Sequence, residues 1–224
     1  MATLTDDGQV RRLALIDVAA AQAAVDRLDE SRAAWIQRGS AFFTLGAATY
    51  LDVCGGDGGL AQYARRRDSG NAVLRDRFGD LLETVRDGLE TITAAPARFA
   101  EHELALPGFH VFLADSLHQS MRDNLHLDLQ YTYLPFQADL FTPTLTFTLP
   151  LESPAGGAGI EFCIREGRDP RGRITTELYA TGELLVHSGR ALHRRAHRPA
   201  TDRCRRVTLQ GHGLLVDGTW VLYW

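Results

Sequence analysis

His126 and Asp128 stand one residue apart in an apolar and aromatic stretch, NLHLDLQYTYL, at positions 124 to 134. If the stretch is a strand, residues i and i+2 share a face, so imidazole and carboxylate point the same way. Burying an ionised carboxylate beside an imidazole costs free energy unless a charge of opposite sign sits between them. A divalent metal supplies that charge. One nitrogen and one oxygen donor make two of the three ligands of a 2-His-1-carboxylate facial triad, the donor set of non-heme Fe(II). The plainer reading of the spacing alone is a hydrogen-bonded His–Asp pair at a strand end.

Further donors lie near the C-terminus, in GELLVHSGRALHRRAHRPATDRCRRVTLQGHG at 182 to 213. The pattern reads as a strand, a tight Ser-Gly turn, a second strand opening at Leu192-His193-Arg194, and another beginning Arg206-Val207-Thr208. His193 and His197 would share a face of the second strand, and Arg206, Thr208 and Gln210 a face of the third. Seven arginines fall between Arg190 and Arg206. A nucleic-acid patch is the binding-module reading of that cluster, and the net charge of −4 opposes it.

The elements that must position these groups fall into two textures. A chain of 224 residues suits one domain with one sizeable core. In the first part, residues 1–103, IDVAAAQAAVDRLDESRAAWIQRG predicts a helix capped by Asp17 and stopped at Gly39. Leu74, Phe78, Leu81, Leu82, Val85, Leu89 and Ile92 recur at helical spacing and predict a second helix from Asn71 to Ala95, closed by Pro96. From 104 to 224 the pattern changes to short runs rich in Val, Phe, Thr, Tyr and Leu: FHVFLA, LHLDLQYTYL, LTFTLPL, GIEFCI, TELYA, GELLVH, ALHRRAH, RRVTLQGHG and WVLYW. Such a series predicts an antiparallel sandwich or barrel with helices packed outside it.

Composition narrows the chemistry. All 24 basic residues are arginine, so lysine Schiff bases, lysine general bases and phosphate-loop lysines are excluded. Three widely spaced cysteines, Cys54, Cys163 and Cys204, predict a reducing, cytoplasmic setting without a disulfide framework. No apolar run approaches a membrane span, and MATLTDDGQVRR has no signal-peptide core. The Gly-rich stretch LDVCGGDGGL at 51 to 60 has a faint likeness to the first motif of methyltransferases, but an all-β second half opposes a Rossmann fold and predicts a plain loop.

Taken in order, H-x-D at 126 to 128, a histidine after the turn and R-x-T at 206 to 208 resemble the Fe(II)/2-oxoglutarate-dependent oxygenase superfamily over about residues 104 to 224. The resemblance implies an α+β chain whose core is a double-stranded β-helix, the cupin-like jelly roll, with N-terminal helices packed on it. It implies Fe(II) held by His126, Asp128 and His193, with His197 as the competing distal ligand. Arg206 matches the arginine on the distal carboxylate of 2-oxoglutarate, with Thr208 beside it and Arg203 and Arg205 as alternatives. Tyr131, sharing a face with Tyr133, is a further candidate for the cofactor wall or else barrel core. Arginine suits a carboxylate because its planar fork makes paired, charge-assisted hydrogen bonds and never deprotonates.

The activity so implied is hydroxylation or another oxidation of a small molecule, such as a free amino acid or natural-product intermediate, with dioxygen as co-substrate. An aspartate at 128 argues against halogenation, in which related enzymes have a small residue there. No nucleic acid or membrane partner is implied, and a homo-oligomer is compatible. The second reading is a cupin-like metal- or small-molecule-binding sandwich without oxygenase activity.

Overall fold

The computed structural model describes residues 9–54, 59–113, 124–136, 138–139, 141–164, 172–196 and 205–224. Helix α1, Val18–Glu30, begins where the Asp17 carboxylate accepts the Ala20 N–H at 2.8 Å, and it buries Ala21, Ala24, Val25 and Leu28 on one stripe. It stops at Glu30, well before Gly39. Ser31 Oγ donates to the Arg27 carbonyl and Trp35 Nε1 to the Leu28 carbonyl, which satisfies the last turn, and the chain continues through a 3-10 turn, Arg32–Ala34, into an extended segment. After the one-turn helix α2, Thr49–Asp52, comes α3, Gly59–Thr93, longer at its N-terminus than its apolar spacing suggested. Its buried residues include Leu74, Phe78, Leu81, Leu82, Val85 and Leu89, and Phe78 marks a kink with non-helical torsions.

The strands form two antiparallel-dominated sheets. In chain order they are β1 (Arg11–Ala14), β2 (Ile36–Gln37), β3 (Phe42–Leu45), β4 (Ala97–Phe99), β5 (Gly108–Phe112), β6 (Thr144–Glu152), β7 (Gly159–Ile164), β8 (Arg173–Leu178), β9 (Glu183–Ser188), β10 (His193–Arg195), β11 (Arg206–Val216) and β12 (Thr219–Tyr223). The larger sheet runs β1-β9-β6-β11-β5-β3-β2. β12 continues the β5 edge of the long strand β11, and β4 pairs β12 in parallel. The smaller sheet is β10-β7-β8. Among the described residues no helix is long and apolar enough to cross a membrane.

Period-2 alternation divides the larger sheet into two unlike faces. Leu145, Phe147, Leu149 and Leu151 of β6, Val207 and Leu209 of β11, Phe109 and Val111 of β5, and Leu184 and Val186 of β9 join α1 and α3 in one hydrophobic core. Each such side chain contributes about 1.5–3 kcal/mol by leaving water. The intervening residues Thr146, Thr148, His187, Gln210 and His212 turn the other way, into a cavity.

Two expectations differ from the structure. The first 103 residues supply not only helices but also β1 to β4, strands of two to four residues that are too short for a visible alternation. The run LHLDLQYTYL is not a strand. His126 makes an isolated bridge to His193, and Gln130–Tyr133 is a 3-10 turn.

Candidate metal centre

A cavity of about 1030 Å³ opens between the sheets, walled by Thr146, Gln210 and His212 of the larger and by Ile160 and His193 of the smaller. The segment carrying His126 and Asp128 crosses this opening. The His126 N–H donates to the His193 carbonyl at 2.8 Å, and the His193 N–H donates back at 3.0 Å. The Asp128 N–H donates to the Gly189 carbonyl at 2.7 Å. Glycine is required at that turn, since a Cβ on 189 would lie 2.8 Å from Thr144 Oγ1 and 3.1 Å from the Asp128 carbonyl oxygen. The His-x-Asp segment is thus held by backbone bonds to the turn and strand that present His193.

Ligand atoms of His126, Asp128 and His193 all lie within 4.8 Å of one another, the sole such group among the described residues. His193 Nε2 is 3.3 Å from Asp128 Oδ2, and His126 Nε2 is 3.9 Å from Oδ1. The Nδ1 atoms of His126 and His193 sit 2.9 and 2.8 Å from the carbonyls of Asn124 and Ala191. A carbonyl only accepts, so each Nδ1 carries the proton and each Nε2 is left to bind a metal. Burial alone would raise the Asp128 carboxyl, but the charges of His193 and His212 outweigh it and hold the group well below its usual range. Burial lowers His193, yet the Asp128 charge and hydrogen bond leave it raised. Without a metal, each group thus favours the charged form of the other.

Thr146, which no sequence pattern brought forward, and His212 complete this cluster. The Thr146 hydroxyl donates to Asp128 Oδ2 at 2.6 Å and lies 3.2 Å from His212 Nδ1. The signal that could have found Thr146 was the alternation of threonine with Leu145, Phe147 and Leu149 along β6, the polar half of a strand whose apolar half is core. His187 lies beside His193, ring centroids 4.7 Å apart, and burial with the His193 charge pushes it down to about 3.

The anion-binding expectations separate. Arg206 is buried, lines the cavity, and places its guanidinium 5.1 Å from the Tyr179 ring and 5.4 Å from Phe112. Arg195 also lines the cavity, with its guanidinium 4.6 Å from the Phe112 ring. Arg205 does not line it, being tied to Asp29 of α1 at 2.6 Å and Glu152 at 2.8 Å. Arg194 pairs with Glu161 at 2.7 Å, so part of the arginine-rich stretch is neutralised within the molecule. Thr208 shares the strand face of Arg206 and Gln210 but is fully buried beneath the cavity wall, not on it.

Tyr131 also departs from the cofactor-wall expectation. It packs with Tyr63 and Tyr223 in a second hydrophobic cluster and donates its hydroxyl to the Asp139 carbonyl at 3.0 Å, while Tyr133 lines the cavity. In a 3-10 turn, residues two apart no longer share a face, which is why the pair splits. His110, on β5, lines the cavity and is bonded to the Tyr50 hydroxyl. Burial first, then the Arg206 charge, hold it well below its usual range. His197 and Arg203 lie outside the described residues.

No protein-family model and no curated protein sequence matches the chain. Solved structures do. The non-heme alpha ketoglutarate dependent epimerase SnoN from nogalamycin biosynthesis is 15% identical, with a TM-score of 0.56 over 93% of this chain and 80% of that one. The same enzyme in complex with Fe3+, alpha ketoglutarate and nogalamycin RO gives a TM-score of 0.52 at 16% identity, covering 92% and 79%. An N-substituted L-amino acid dioxygenase from Burkholderia ambifaria, in complex with alpha-KG, gives 0.51 at 14% identity, covering 92% and 91%. The chain has the mixed helix and antiparallel-sheet fold of these iron- and alpha-ketoglutarate-linked enzymes, and its His126, Asp128 and His193 form a cluster able to hold a metal ion.

Proposed function

We propose that this protein is an Fe(II)- and 2-oxoglutarate-dependent oxygenase that hydroxylates, or otherwise oxidises, a small molecule. The observation that carries the reading is the meeting of two Nε2 atoms and one carboxylate at a cavity that also holds a buried arginine. Supporting it is the likeness of fold to enzymes solved with Fe3+ and alpha ketoglutarate. On this reading the chain is one domain, its two-sheet core is a double-stranded β-helix, and its setting is the cytoplasm, consistent with the free thiols of Cys54 and Cys163.

The donor set fits a divalent iron: two neutral imidazoles and one carboxylate, with their second atoms already engaged. His126, Asp128 and His193 would hold it, and Arg206 would take the distal carboxylate of 2-oxoglutarate through its planar fork. Iron and 2-oxoglutarate, when bound, supply an oxidant made from dioxygen as the keto acid is decarboxylated to succinate. The protein's own work is positional. Its backbone bonds fix the imidazoles, burial holds His110, His187 and His212 below the usual imidazole range, and the cavity admits a small organic substrate. A carboxylate at 128 occupies the position that halide would need, which favours oxygen insertion or dehydrogenation over halogenation.

Anaerobic addition of Fe(II) and 2-oxoglutarate tests the reading. The expected result is a visible charge-transfer band that His126→Ala abolishes, with succinate released once air and a substrate from an amino-acid and natural-product panel are supplied. Metal binding without such a band would leave only a metal-binding sandwich.

A further inference from the structure

We infer that Thr146, backed by His212, is a positioning residue that reserves one oxygen of Asp128 and so makes the carboxylate a single-oxygen ligand. The inference rests on the metal reading above and concerns how this chain shapes that site. Three adjacent strands carry it: β6 places Thr146 between its register partners His187 on β9 and His212 on β11. Asp128 lies directly over this row.

An ionised carboxylate only accepts, so at 2.6 Å the single Thr146 hydroxyl proton must point to Asp128 Oδ2. Towards His212 Nδ1, 3.2 Å away, the same hydroxyl oxygen is then the acceptor, and His212 must carry its proton on Nδ1. The result is a relay from His212 Nδ1–H to Thr146 Oγ1–H to Asp128 Oδ2, in which each bond polarises the next. His212 Nδ1 itself stands 3.8 Å from Oδ2, on the same side. Thr146 and His212 are buried and the Asp128 side chain is only 11% exposed, so the bond to Oδ2 is largely shielded from solvent.

Oδ1 faces His126 Nε2 at 3.9 Å, while Oδ2 also stands 3.3 Å from His193 Nε2, a contact that a bound metal ion would replace. A carboxylate whose second oxygen is held this way binds a metal through one atom. Bound through both, it would fill a coordination position that a bidentate keto acid and a third ligand require. The hydroxyl therefore both orients a ligand and keeps the remaining positions open.

Titration of the anaerobic, 2-oxoglutarate-free protein with Co(II) tests this, read by calorimetry and by the visible d–d spectrum. Thr146→Val keeps the shape and removes the hydroxyl; Thr146→Ser keeps the hydroxyl. The expected result is that Val weakens Co(II) about 10–100-fold, and that its spectrum changes from that of the wild-type coordination number. Ser should restore both affinity and spectrum, and His212→Phe should give a smaller loss in the same direction. Thermal unfolding of the metal-free variants checks that each is folded. Equal affinity and an unchanged spectrum in Thr146→Val would overturn the inference while leaving the metal centre in place. Failure of wild-type protein to bind Co(II), or binding that survives Asp128→Ala, would overturn the metal reading and this inference with it.

Discussion

Two carboxylates, Asp52 fully buried and Asp128 largely so, solve the same electrostatic problem in opposite ways. Asp52 is fully enclosed. Arg38 grips it with both terminal nitrogens at 2.5 and 2.8 Å, Arg66 adds a third contact, and the Ala48 N–H donates at 2.8 Å. Asp128 has no arginine against it among the described residues; it meets Thr146, His193, His212 and His126. Burial pushes each carboxyl up and its cationic neighbours pull it below the usual range. The difference lies in the partners. A guanidinium keeps its charge at any working pH, so the Asp52 cluster is closed and permanent. An imidazole can give up its proton, so the Asp128 cluster can exchange that proton for a metal ion. The first ties β3's neighbourhood to α2 and α3; the second faces a cavity.

The largest expected effect breaks the contrast at its functional end. Asp128→Ala should abolish Fe(II) binding, a loss of at least about 100-fold measured by calorimetry under argon, beyond what removal of a supporting residue causes. Asp52→Ala should leave metal affinity nearly unchanged but cost about 3–5 kcal/mol of stability, since it strands the buried Arg38 charge. A urea melt reads that loss, and a metal-affinity loss as large as that of Asp128→Ala would erase the distinction.

Next in size is Arg206→Gln. The charge-transfer band should still form, but only at roughly 10–100-fold more 2-oxoglutarate, as expected for the loss of a buried, charge-assisted pair. Titrating the band with 2-oxoglutarate checks it.

pH sharpens the contrast further. His193 is raised above its ordinary 6.5, so its contribution to metal-free stability is complete below that value and is lost as pH rises through its folded value. Asp128 is depressed below 3.8, so its contribution is present above that value and is lost as pH falls through its folded one. The metal-free protein should therefore gain most from this pair between about pH 4 and 6.5. Fe(II) affinity should run the other way across neutral pH, rising as His193 yields its proton. Asp52, also depressed, contributes a stability that declines only as pH falls into the acid range. Chemical melts and metal titrations over the same pH series separate the two trends. The smallest effect is a control on a third carboxylate: Asp17→Ala, which removes the α1 cap, should cost about 1 kcal/mol and leave metal affinity untouched.

Legibility in the sequence followed the range of the interaction. The Asp17 cap and the apolar stripe of α3 were readable because both arise within one or two helical turns. The strands β5 to β12 were readable wherever alternation ran long enough, as in TLTFTLPLE, and β1 to β4 were not, because two to four residues carry no period. The stretch at 125 to 134 misled: its aromatic and apolar residues imitate a strand, but they pack as a crossing segment and a 3-10 turn, which sends Tyr131 into the core and Tyr133 to the cavity.

Residue types and order, read through the family resemblance, were enough to bring forward His126 and Asp128 with His193 or His197 as groups that could meet, and residue types alone excluded lysine-based chemistry, because donor chemistry is a property of side chains. Their meeting point, the hydroxyl on Asp128 Oδ2, and the sorting of Arg205 to an ion pair and Arg206 to the cavity were decided by strand pairing between segments tens of residues apart. Register across a sheet is set by the whole core at once, and no local pattern in the chain encodes it.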